Sequence, residues 1–320
     1  MANLSNFRKY TTSQLTCMSP FILIVPAFAI IVFSELALSR KRKDGTYQVK
    51  DLVTNFFIGI GGLILGVLSK KALEIGLFFF VFQLFTPLRL EWLGYESLGW
   101  AWWVWILAII GDDFTFYWHH RWSHKIRILW AAHVVHHSSR YFNFSIGLRN
   151  GWAVMLYKHF WWLWMPALGF EPGMITLALI FNALYQFLQH TQHVKSYGLP
   201  ASIFVTPGLH EVHHASNIRY LDKNYGGILI IWDRIFGTYQ RYEPEVEKVE
   251  FGVLNDPGSN NPFFLHLHEF LRIFRDLRRS KTLKDVFFQL FGQPGWSSDG
   301  STKTAKELQQ EFLLKTHHDG

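Results

Sequence analysis

Three histidine motifs constrain this chain more than any other feature of its sequence. Of the 16 histidines, 12 fall between His119 and His214, and most of these are spaced i, i+3 or i+4. On an α-helix, such spacings place side chains on one face. Each motif therefore predicts a helix that presents two or three imidazoles in one direction. The motifs are His120-x-x-x-His124, His133-x-x-His136-His137 and His210-x-x-His213-His214.

The three motifs together predict a site with two metal ions. Neutral imidazole is a good ligand for iron, zinc, copper and nickel. Eight imidazoles are too many for one ion that keeps an open position, whereas two ions with about four to five ligands each match the number. A purely structural role would leave many ring donors and acceptors without partners. Isolated histidines such as His159 and His193 are expected to be structural instead.

A competing interpretation uses only the third motif. Residues 210–214 also read His-Glu-x-x-His, the signature of zinc peptidases, with His210 and His214 as ligands and Glu211 as the base. This membrane metallopeptidase hypothesis leaves six other motif histidines unexplained. A ferritin-like carboxylate site would need two Glu-x-x-His pairs, and the sequence has only the one that ends at His214.

The composition favours a membrane protein. Charged residues make up 17% of the chain, below the roughly 25% of soluble domains, and 49% are hydrophobic. The 14 Trp, 12 Tyr and 30 Phe suit aromatic belts at membrane interfaces. The net charge of +7 fits an anionic membrane surface better than nucleic acid, because basic residues flank apolar stretches and no nucleic-acid motif occurs. The single cysteine, Cys17, excludes an internal disulfide and a cysteine-ligated cluster.

Several apolar stretches have the length of membrane helices. The basic run 40–43 follows the first stretch and predicts a cytoplasmic loop. We expect the glycine-rich stretch 52–68 to be interfacial or half-inserted, because a full crossing there would put the histidines on the side away from cytosolic reductants. A turn at Glu171-Pro172-Gly173 predicts a helical hairpin in the membrane. The stretches are 20–38, 52–68, 73–87, 100–118, and the hairpin arms 152–170 and 174–188.

The C-terminal region has a different pattern. A loop over 255–262 precedes an amphipathic basic helix over 263–279, which either lies on a membrane surface or packs on its own domain.

The sequence thus predicts an all-α fold of polytopic membrane helices with a cytosolic, histidine-rich helical cap that holds a dinuclear metal site. The expected domains are N-terminal membrane helices (1–99), a catalytic domain (100–250), and C-terminal amphipathic helices with a tail (251–320).

Between residues 112 and 239 the histidine motifs stand among other short motifs that together resemble the fatty acid hydroxylase and sterol desaturase superfamily of membrane di-iron enzymes. Within it, the sequence is most similar to the branch of alkylglycerol monooxygenases and their bacterial sterol desaturase relatives. The motifs are Asp113-Phe114-x-x-Tyr117-Trp118-x-His120-Arg121, Trp130-Ala131-x-His133, His136-His137-Ser138-Ser139, Leu148-Arg149, Tyr185-Gln186-Phe187-x-x-His190-Thr191, Asp222-Lys223-Asn224-Tyr225-Gly226-Gly227 and Leu229-Ile230-Ile231-Trp232-Asp233-Arg234-Ile235-Phe236-Gly237-Thr238, with a weaker match at Leu290-Phe291-Gly292-x-Pro294-Gly295-Trp296-Ser297.

The resemblance implies two iron ions, O2 as co-substrate and nine histidine ligands. His190 stands where relatives place a further histidine, whereas His119 has no counterpart and is left out. Lys125 replaces an acidic residue of the alkylglycerol branch, which puts pterin-dependent ether-lipid cleavage in doubt. The implied ligands, also the implied catalytic residues apart from His190, are His120, His124, His133, His136, His137, His190, His210, His213 and His214.

Other residues have two open roles. Asp113, Asn143, Asp222 and Asp233 either accept the second ring N–H of a ligand histidine or cap helices and pair with arginines. Trp161-Trp162-Leu163-Trp164 and the helix of Tyr185 line either an acyl channel or a lipid-facing belt.

The expected activity is that of an integral, multi-pass membrane monooxygenase or desaturase whose metal site faces the cytoplasm. The substrate is expected to be a membrane lipid: a sterol, a fatty acyl chain or an ether lipid. No flavin, nicotinamide or haem motif occurs, so electrons are expected from a redox protein or a diffusible reductant. A third hypothesis is a membrane metal carrier or a haem-binding electron carrier without oxygenase activity.

Overall fold

The computed structural model describes residues 21–69 and 74–318. These residues form α-helices and short 3-10 helices, and within them the only β-type pairings are two isolated bridges. The all-α expectation is therefore confirmed for this part of the chain. The α-helices are α1 Phe21–Arg42, α2 Val49–Ser69, α3 Gly76–Leu93, α4 Trp102–Lys125, α5 Arg127–His137, α6 Val154–Tyr157, α7 Trp164–Ala167, α8 Pro172–Gln189, α9 Pro207–His213, α10 Ile231–Ile235, α11 Pro262–Arg279, α12 Leu283–Phe291 and α13 Ala305–His318.

The chain forms two units, residues 1–45 and 46–320. In the first unit, α1 covers the predicted stretch 20–38, except Pro20, which lies outside the described residues. Its last turn holds Arg40, Lys41 and Arg42. The Ser39 hydroxyl donates to Asp44 at 2.6 Å just after the helix ends. The positive charge that predicts a cytoplasmic loop thus sits at the C-terminal end of α1, where cations also favour the helix dipole.

In the second unit, α2 and α3 are long and apolar enough to cross a membrane. Mean hydropathy is 1.9 over 49–68 and 1.2 over 76–93, and only 28% and 22% of these stretches is buried. α3 extends past the predicted 73–87 to Leu93, where Gly94 ends it with a positive φ of 73°; Leu73 lies outside the described residues. Length and composition give two candidate membrane helices in the described part of the chain.

The glycines of α2 have a packing role. A Cβ at Gly61 would lie 2.3 Å from the Trp152 ring, and one at Gly59 would lie 3.0 Å from Leu148. These glycines let the helix lie close against the segment after α5. The half-inserted position expected for 52–68 stays a prediction, since α2 is a continuous helix that is also long enough to cross.

Only the second arm of the predicted hairpin forms one regular α-helix. Its second arm is α8, which begins at Pro172 after the N-cap Glu171. The first arm was predicted wrongly as one helix, because residues 152–170 form α6, the 3-10 helix Lys158–Trp162 and α7. The irregular backbone lets two indole N–H groups donate to α4: Trp162 to Asp112 at 2.7 Å and Trp164 to Thr115 at 2.9 Å. Trp162 then joins the core between α3, α4 and α8.

The C-terminal helices pack on the histidine-bearing part of the chain. The loop over 255–261 and the helix α11 agree with the predicted loop and amphipathic helix. Arg127, at the start of α5, donates to Glu269 at 3.1 Å and to Asp276 at 2.6 Å on α11, and also to Gln289 on α12. Removing this guanidinium would leave two carboxylates beside each other, so Arg127 holds three helices together.

Candidate metal centre

Four elements bring the predicted ligands together within residues 46–320. The first motif ends α4 and the second ends α5. The third lies on α9, with His214 directly after the helix, and His190 follows the last residue of α8. Ile126 alone separates α4 from α5, and its extended backbone (φ −114°, ψ 120°) redirects the chain. Thr206 caps α9 and Pro207 lies in its first turn, which fixes where this short helix begins.

The nine histidines separate into two groups whose ligand atoms lie within 4.8 Å of one another in each group. All are buried except His133, which is partly buried. The groups cut across the sequence motifs: the second motif contributes to both, and so does the third. Centre one comprises His120, His124, His133, His137 and His213, and centre two comprises His136, His190, His210 and His214.

Ring nitrogens meet at the middle of each centre. In centre one, His133 Nε2 lies 3.1 Å from His120 Nε2 and 3.2 Å from His137 Nε2. In centre two, His190 Nε2 lies 3.3 Å from His136 Nε2 and 3.1 Å from His210 Nε2. Three rings of each centre therefore turn the same nitrogen inward.

Backbone carbonyls determine which nitrogen carries the proton in centre two. A carbonyl oxygen only accepts, so His190 Nδ1 donates to the Gln186 oxygen at 2.9 Å and His136 Nδ1 donates to the Arg149 oxygen at 3.2 Å. In the neutral rings both Nε2 atoms then carry lone pairs, yet these atoms lie 3.3 Å apart. A cation between them would satisfy both lone pairs. Two nitrogens bound to one ion at about 2.1 Å lie roughly 3.0 to 3.4 Å apart, so this spacing fits a metal.

One loop contacts the Nδ1 atoms of three histidines of centre one. His120 Nδ1 donates to the Tyr225 oxygen at 2.9 Å, and His213 Nδ1 donates to the Lys223 oxygen at 2.9 Å. His124 Nδ1 lies 3.5 Å from the carboxylate of Asp222. Such contacts fix the tautomer and direct the other nitrogen at a metal. The remaining Nε2 atoms of His124 and His213 have no hydrogen-bond partner although they are buried, which again suits an ion.

The backbone of this loop is itself held by buried polar side chains. Asp233 accepts from the Tyr225 and Gly226 amides, both at 2.8 Å. Asn224 donates to the Leu209 oxygen at 3.0 Å. Asp222 and Asn224 have positive φ angles of 59° and 55°, a conformation that Asp and Asn adopt more readily than most residues.

Burial lowers the pKa of every histidine in both centres, and for most of them neighbouring histidines lower it further. The rings are thus neutral at pH 7, the form that binds metals. Burial alone would raise the pKa of Asp222, but the His124 ring and the Lys125 ammonium at 2.6 Å outweigh it and hold the pKa below its usual value. Asp222 therefore stays ionised beside His124.

The other predicted supporting residues serve the backbone. Asp113 accepts from the Ile228 amide at 2.6 Å and the Leu229 amide at 2.9 Å, and Asn143 caps the 3-10 helix Phe144–Leu148. Of the four candidates, Asp222 is the one in contact with a site histidine. The sequence did not predict that backbone carbonyls accept hydrogen bonds from the site histidines, because a backbone acceptor has no side-chain signature. These carbonyls belong to Arg149, Gln186, Lys223 and Tyr225.

His119, which was left out of the implied ligands, and His159, which was predicted to be structural, lie outside both centres. His119 packs against the rings of Tyr157, Trp161 and Trp162, with centroids 5.8 Å away in each case. His159 lies 3.6 Å from Glu74.

Of the residues predicted to line either an acyl channel or a lipid-facing belt, Trp162 is a core residue with 1% exposure, and the Tyr185 hydroxyl donates to the Val205 oxygen at 2.8 Å. These two aromatic side chains therefore have structural contacts of their own.

The geometry does not favour a peptidase. Glu211, the base in that hypothesis, is buried and ion-paired with Lys195. Its two proposed zinc ligands, His210 and His214, share their group with His136 and His190. A carboxylate engaged by a lysine is poorly placed to activate a metal-bound water.

A cavity of about 120 Å³ with both polar and apolar walls adjoins centre one. Its walls include His124, His137 and His213 from the centre and Asp222 from the orienting loop. The C-terminal region adds charged side chains that include Arg272. Apolar residues line the cavity as well, among them Trp130, Val134 and Leu254, so centre one has a mixed polar and apolar boundary on this side.

Residues 105–238 match the fatty acid hydroxylase family. The chain is 34% identical over 274 residues to an alkylglycerol monooxygenase from Danio rerio, which covers 85% of this chain and 58% of that protein. It is 37% identical over 235 residues to the Homo sapiens alkylglycerol monooxygenase, covering 72% and 51%. It is 27% identical over 144 residues to a Delta(7)-sterol 5(6)-desaturase from Aspergillus fumigatus, covering 44% and 40%. The chain spans about half the length of these relatives, and no solved structure matches it.

Proposed function

Residues 105–238 of this chain are a fatty acid hydroxylase family domain, and on that premise we propose that the protein is a membrane oxygenase that hydroxylates or desaturates a lipid with O2. The similar proteins are named as lipid-oxidising enzymes, which supports an oxidoreductase acting on a lipid. The two candidate membrane helices suggest a membrane protein. Sterols, fatty acyl chains and ether lipids are the candidate substrates.

One observation carries this proposal: nine histidines, eight of them buried, form two adjacent groups in which ring nitrogens lie close together. His136 Nε2 and His190 Nε2 illustrate it, because carbonyls take the protons of both rings. Buried lone pairs at this distance repel unless a cation lies between them. We assign one iron ion to centre one and one to centre two, with the nine histidines as ligands. When bound, the iron pair supplies the electron transfer that reduces O2 and oxidises a C–H bond.

The chain itself has three tasks at this site. Carbonyls and Asp222 hold the imidazoles in the tautomer that faces the ions. Burial keeps the rings neutral, so they bind metal instead of protons. Aromatic rings exclude water: Phe142 lies 5.1 Å from His214 and Phe116 lies 5.1 Å from His120, measured between centroids.

The proposed topology places both centres on the cytoplasmic side. The Asp51 carboxylate near the start of α2 binds Arg149 at 3.1 Å, beside the carbonyl that orients His136. In the sequence, the basic run 40–43 comes just before α2. α3 begins after Glu74, next to His159, and α4 ends at the histidines. If α3 and α4 both cross the membrane, the start of α3 and the histidines at the end of α4 lie on the same side of it.

Electrons come from outside the chain in this proposal, from a redox protein or a diffusible reductant. The cavity beside centre one offers such a donor a route to the site. We assign the catalytic domain to residues 100–250, with membrane helices before it and amphipathic helices after it.

The test compares lipids from cells that express the intact chain with lipids from cells that express His136→Ala, both grown under 18-O2. Mass spectrometry should find an oxygen-labelled lipid, or a desaturated one, with the intact chain and not with the variant. His193→Ala is the matched control, because His193 lies outside both centres. Lipids that do not differ between the intact chain and His136→Ala would refute the proposal. Glu211→Gln separates the alternative: a peptidase would lose all activity.

A further inference from the structure

The outer side of α11 carries a continuous apolar stripe. Five large hydrophobic side chains on this helix are between 41% and 66% exposed. Their spacing keeps them within about 100° of arc on an α-helix. The opposite side is buried, with Leu265 and Ile273 facing inward. The stripe comprises Phe263, Phe264, Leu267, Leu271 and Phe274.

The exposed charges near this stripe are all positive. Both acidic residues of α11, Glu269 and Asp276, are ion-paired with Arg127. At the other end of the stripe Arg275, Arg278 and Arg279 are exposed. The Arg278 guanidinium lies 5.7 Å from the centre of the Phe274 ring. The helix thus combines exposed apolar and cationic groups, while both of its carboxylates are paired with Arg127, which complements an anionic lipid surface.

The start of α11 is fixed next to α2. Thr54 donates to the Asn260 oxygen at 2.9 Å, and Ile58 packs with Leu265. α2 also carries the buried polar residues Asp51 and Asn55. Exposed apolar side chains run along the length of α2, namely Val49, Val53, Phe57, Ile60, Leu63, Ile64, Val67 and Leu68.

Trp152 joins the two helices at the same level. Its indole donates to the Ile58 oxygen at 3.0 Å, and its ring stacks on His266 with centroids 4.0 Å apart. Phe263 packs edge-on against it, at 5.5 Å. The apolar stripe of α11 therefore continues the exposed apolar surface of α2.

We propose that α11 lies in the interface of an anionic leaflet, with its stripe at the boundary of headgroups and acyl chains and its three arginines among the headgroups. Because α11 packs on α5, which carries three of the site histidines, this contact holds both centres at a fixed depth relative to the lipid. The inference rests on the membrane setting of the proposed function and does not depend on its chemistry.

The experiment places a single environment-sensitive fluorophore on the full-length chain in nanodiscs, in a Cys17→Ser background. Labels go on Leu267→Cys and Phe274→Cys in the stripe. Leu84→Cys on α3, which is 56% exposed, is the membrane-positive control. Lys248→Cys, exposed in a polar loop, is the solvent control. Brominated lipids quench a fluorophore only at close range, so they report contact with acyl chains.

We expect blue-shifted emission and bromine quenching at positions 267 and 274 and at 84, with neither at 248. Quenching at 84 but not at 267 and 274 would overturn the proposal and leave the membrane setting intact. No quenching at any position would overturn both. A blue shift at 267 without quenching would mean that protein covers the stripe, and would also overturn it.

A second measurement tests the charge. The combined variant Arg275→Gln, Arg278→Gln and Arg279→Gln should lose the increase in quenching at position 267 that anionic lipid produces over neutral lipid. Lys248→Gln should keep that increase. Equal responses of the two variants to anionic lipid would contradict the role given to the arginines.

Discussion

The rings of His137 and His214 stack with their centroids 4.4 Å apart and their planes 21° apart, although one belongs to centre one and the other to centre two. Each ring also lies near other members of its own group. The imidazoles of the two centres therefore form one continuous cluster. A charge at one centre interacts electrostatically with the other centre, because little water lies between them to screen it. Loss of a ligand at one centre should disturb its neighbour as well.

The purified chain should contain about two metal ions per molecule, since each group offers about four to five nitrogens. His190→Ala removes a ligand from centre two and should lower the content toward about one. His193→Ala, outside both groups, should leave it unchanged. Inductively coupled plasma mass spectrometry of the protein measures the content. A single ion per chain that survives His190→Ala would contradict the two-centre arrangement.

Asp222→Asn should weaken metal binding at centre one by roughly 10- to 100-fold, because it removes the charged partner of His124 while keeping the size and the left-handed backbone of this residue. Asp256→Asn is the control: it removes a carboxylate whose partner is the exposed Arg140. Competition with a chromophoric chelator measures the affinity. Equal affinities for the two variants would show that Asp222 does not position His124.

Arg149→Met should destabilise the fold by about 3–5 kcal/mol, since it leaves Asp51 as a buried charge without its partner. The same guanidinium also donates to Asn55 at 2.8 Å and to the Val135 oxygen at 3.0 Å. Arg140→Met breaks an ion pair whose arginine is 71% exposed and should cost less than about 1 kcal/mol. Thermal unfolding in detergent should separate the two variants, and similar midpoints would contradict the prediction.

Gly61→Ala should destabilise the packing of α2 by about 1–3 kcal/mol, because a Cβ there would lie 2.3 Å from the Trp152 ring. Gly66→Ala is the control on the same helix, because a Cβ at position 66 would have no atom within 4 Å. Alanine favours a helix over glycine by about 1 kcal/mol, so Gly66→Ala should be neutral or stabilising. Unfolding midpoints of both variants measure the difference, and the opposite order would refute this packing role.

Metal retention and stability should both fall as the pH drops below 6.5. Unfolded histidines titrate near this value, whereas burial lowers the pKa of the folded rings, in His190 to about 4. Between these values the unfolded chain binds more protons than the folded chain, so acid favours unfolding and stability rises with pH. Protons also compete with the metal for the rings. Metal content and unfolding midpoints that stay constant across this window would contradict the assignment of neutral, metal-binding histidines.

The spacing in the sequence by itself predicted the eight motif histidines and the helices on which they lie, whereas His190 was added by the resemblance to a family. Spacings of three and four residues place rings on one face of a helix whatever surrounds it, as at His133 and His137. The same holds for the amphipathic helix over 263–279, where the pattern of apolar and basic residues is local information. Local periodicity is a property of the chain before it folds.

The tertiary structure alone decided how the rings are shared between two centres. His136 and His137 are neighbours in the sequence but belong to different groups, because successive side chains of α5 diverge by about 100° and face different helices. The acceptors that orient the rings are mostly backbone carbonyls, such as that of Tyr225, whose positions depend on buried partners far along the chain. The broken arm at 152–170 has the same origin: its indoles reach Asp112 and Thr115, contacts between distant residues that a local pattern does not encode.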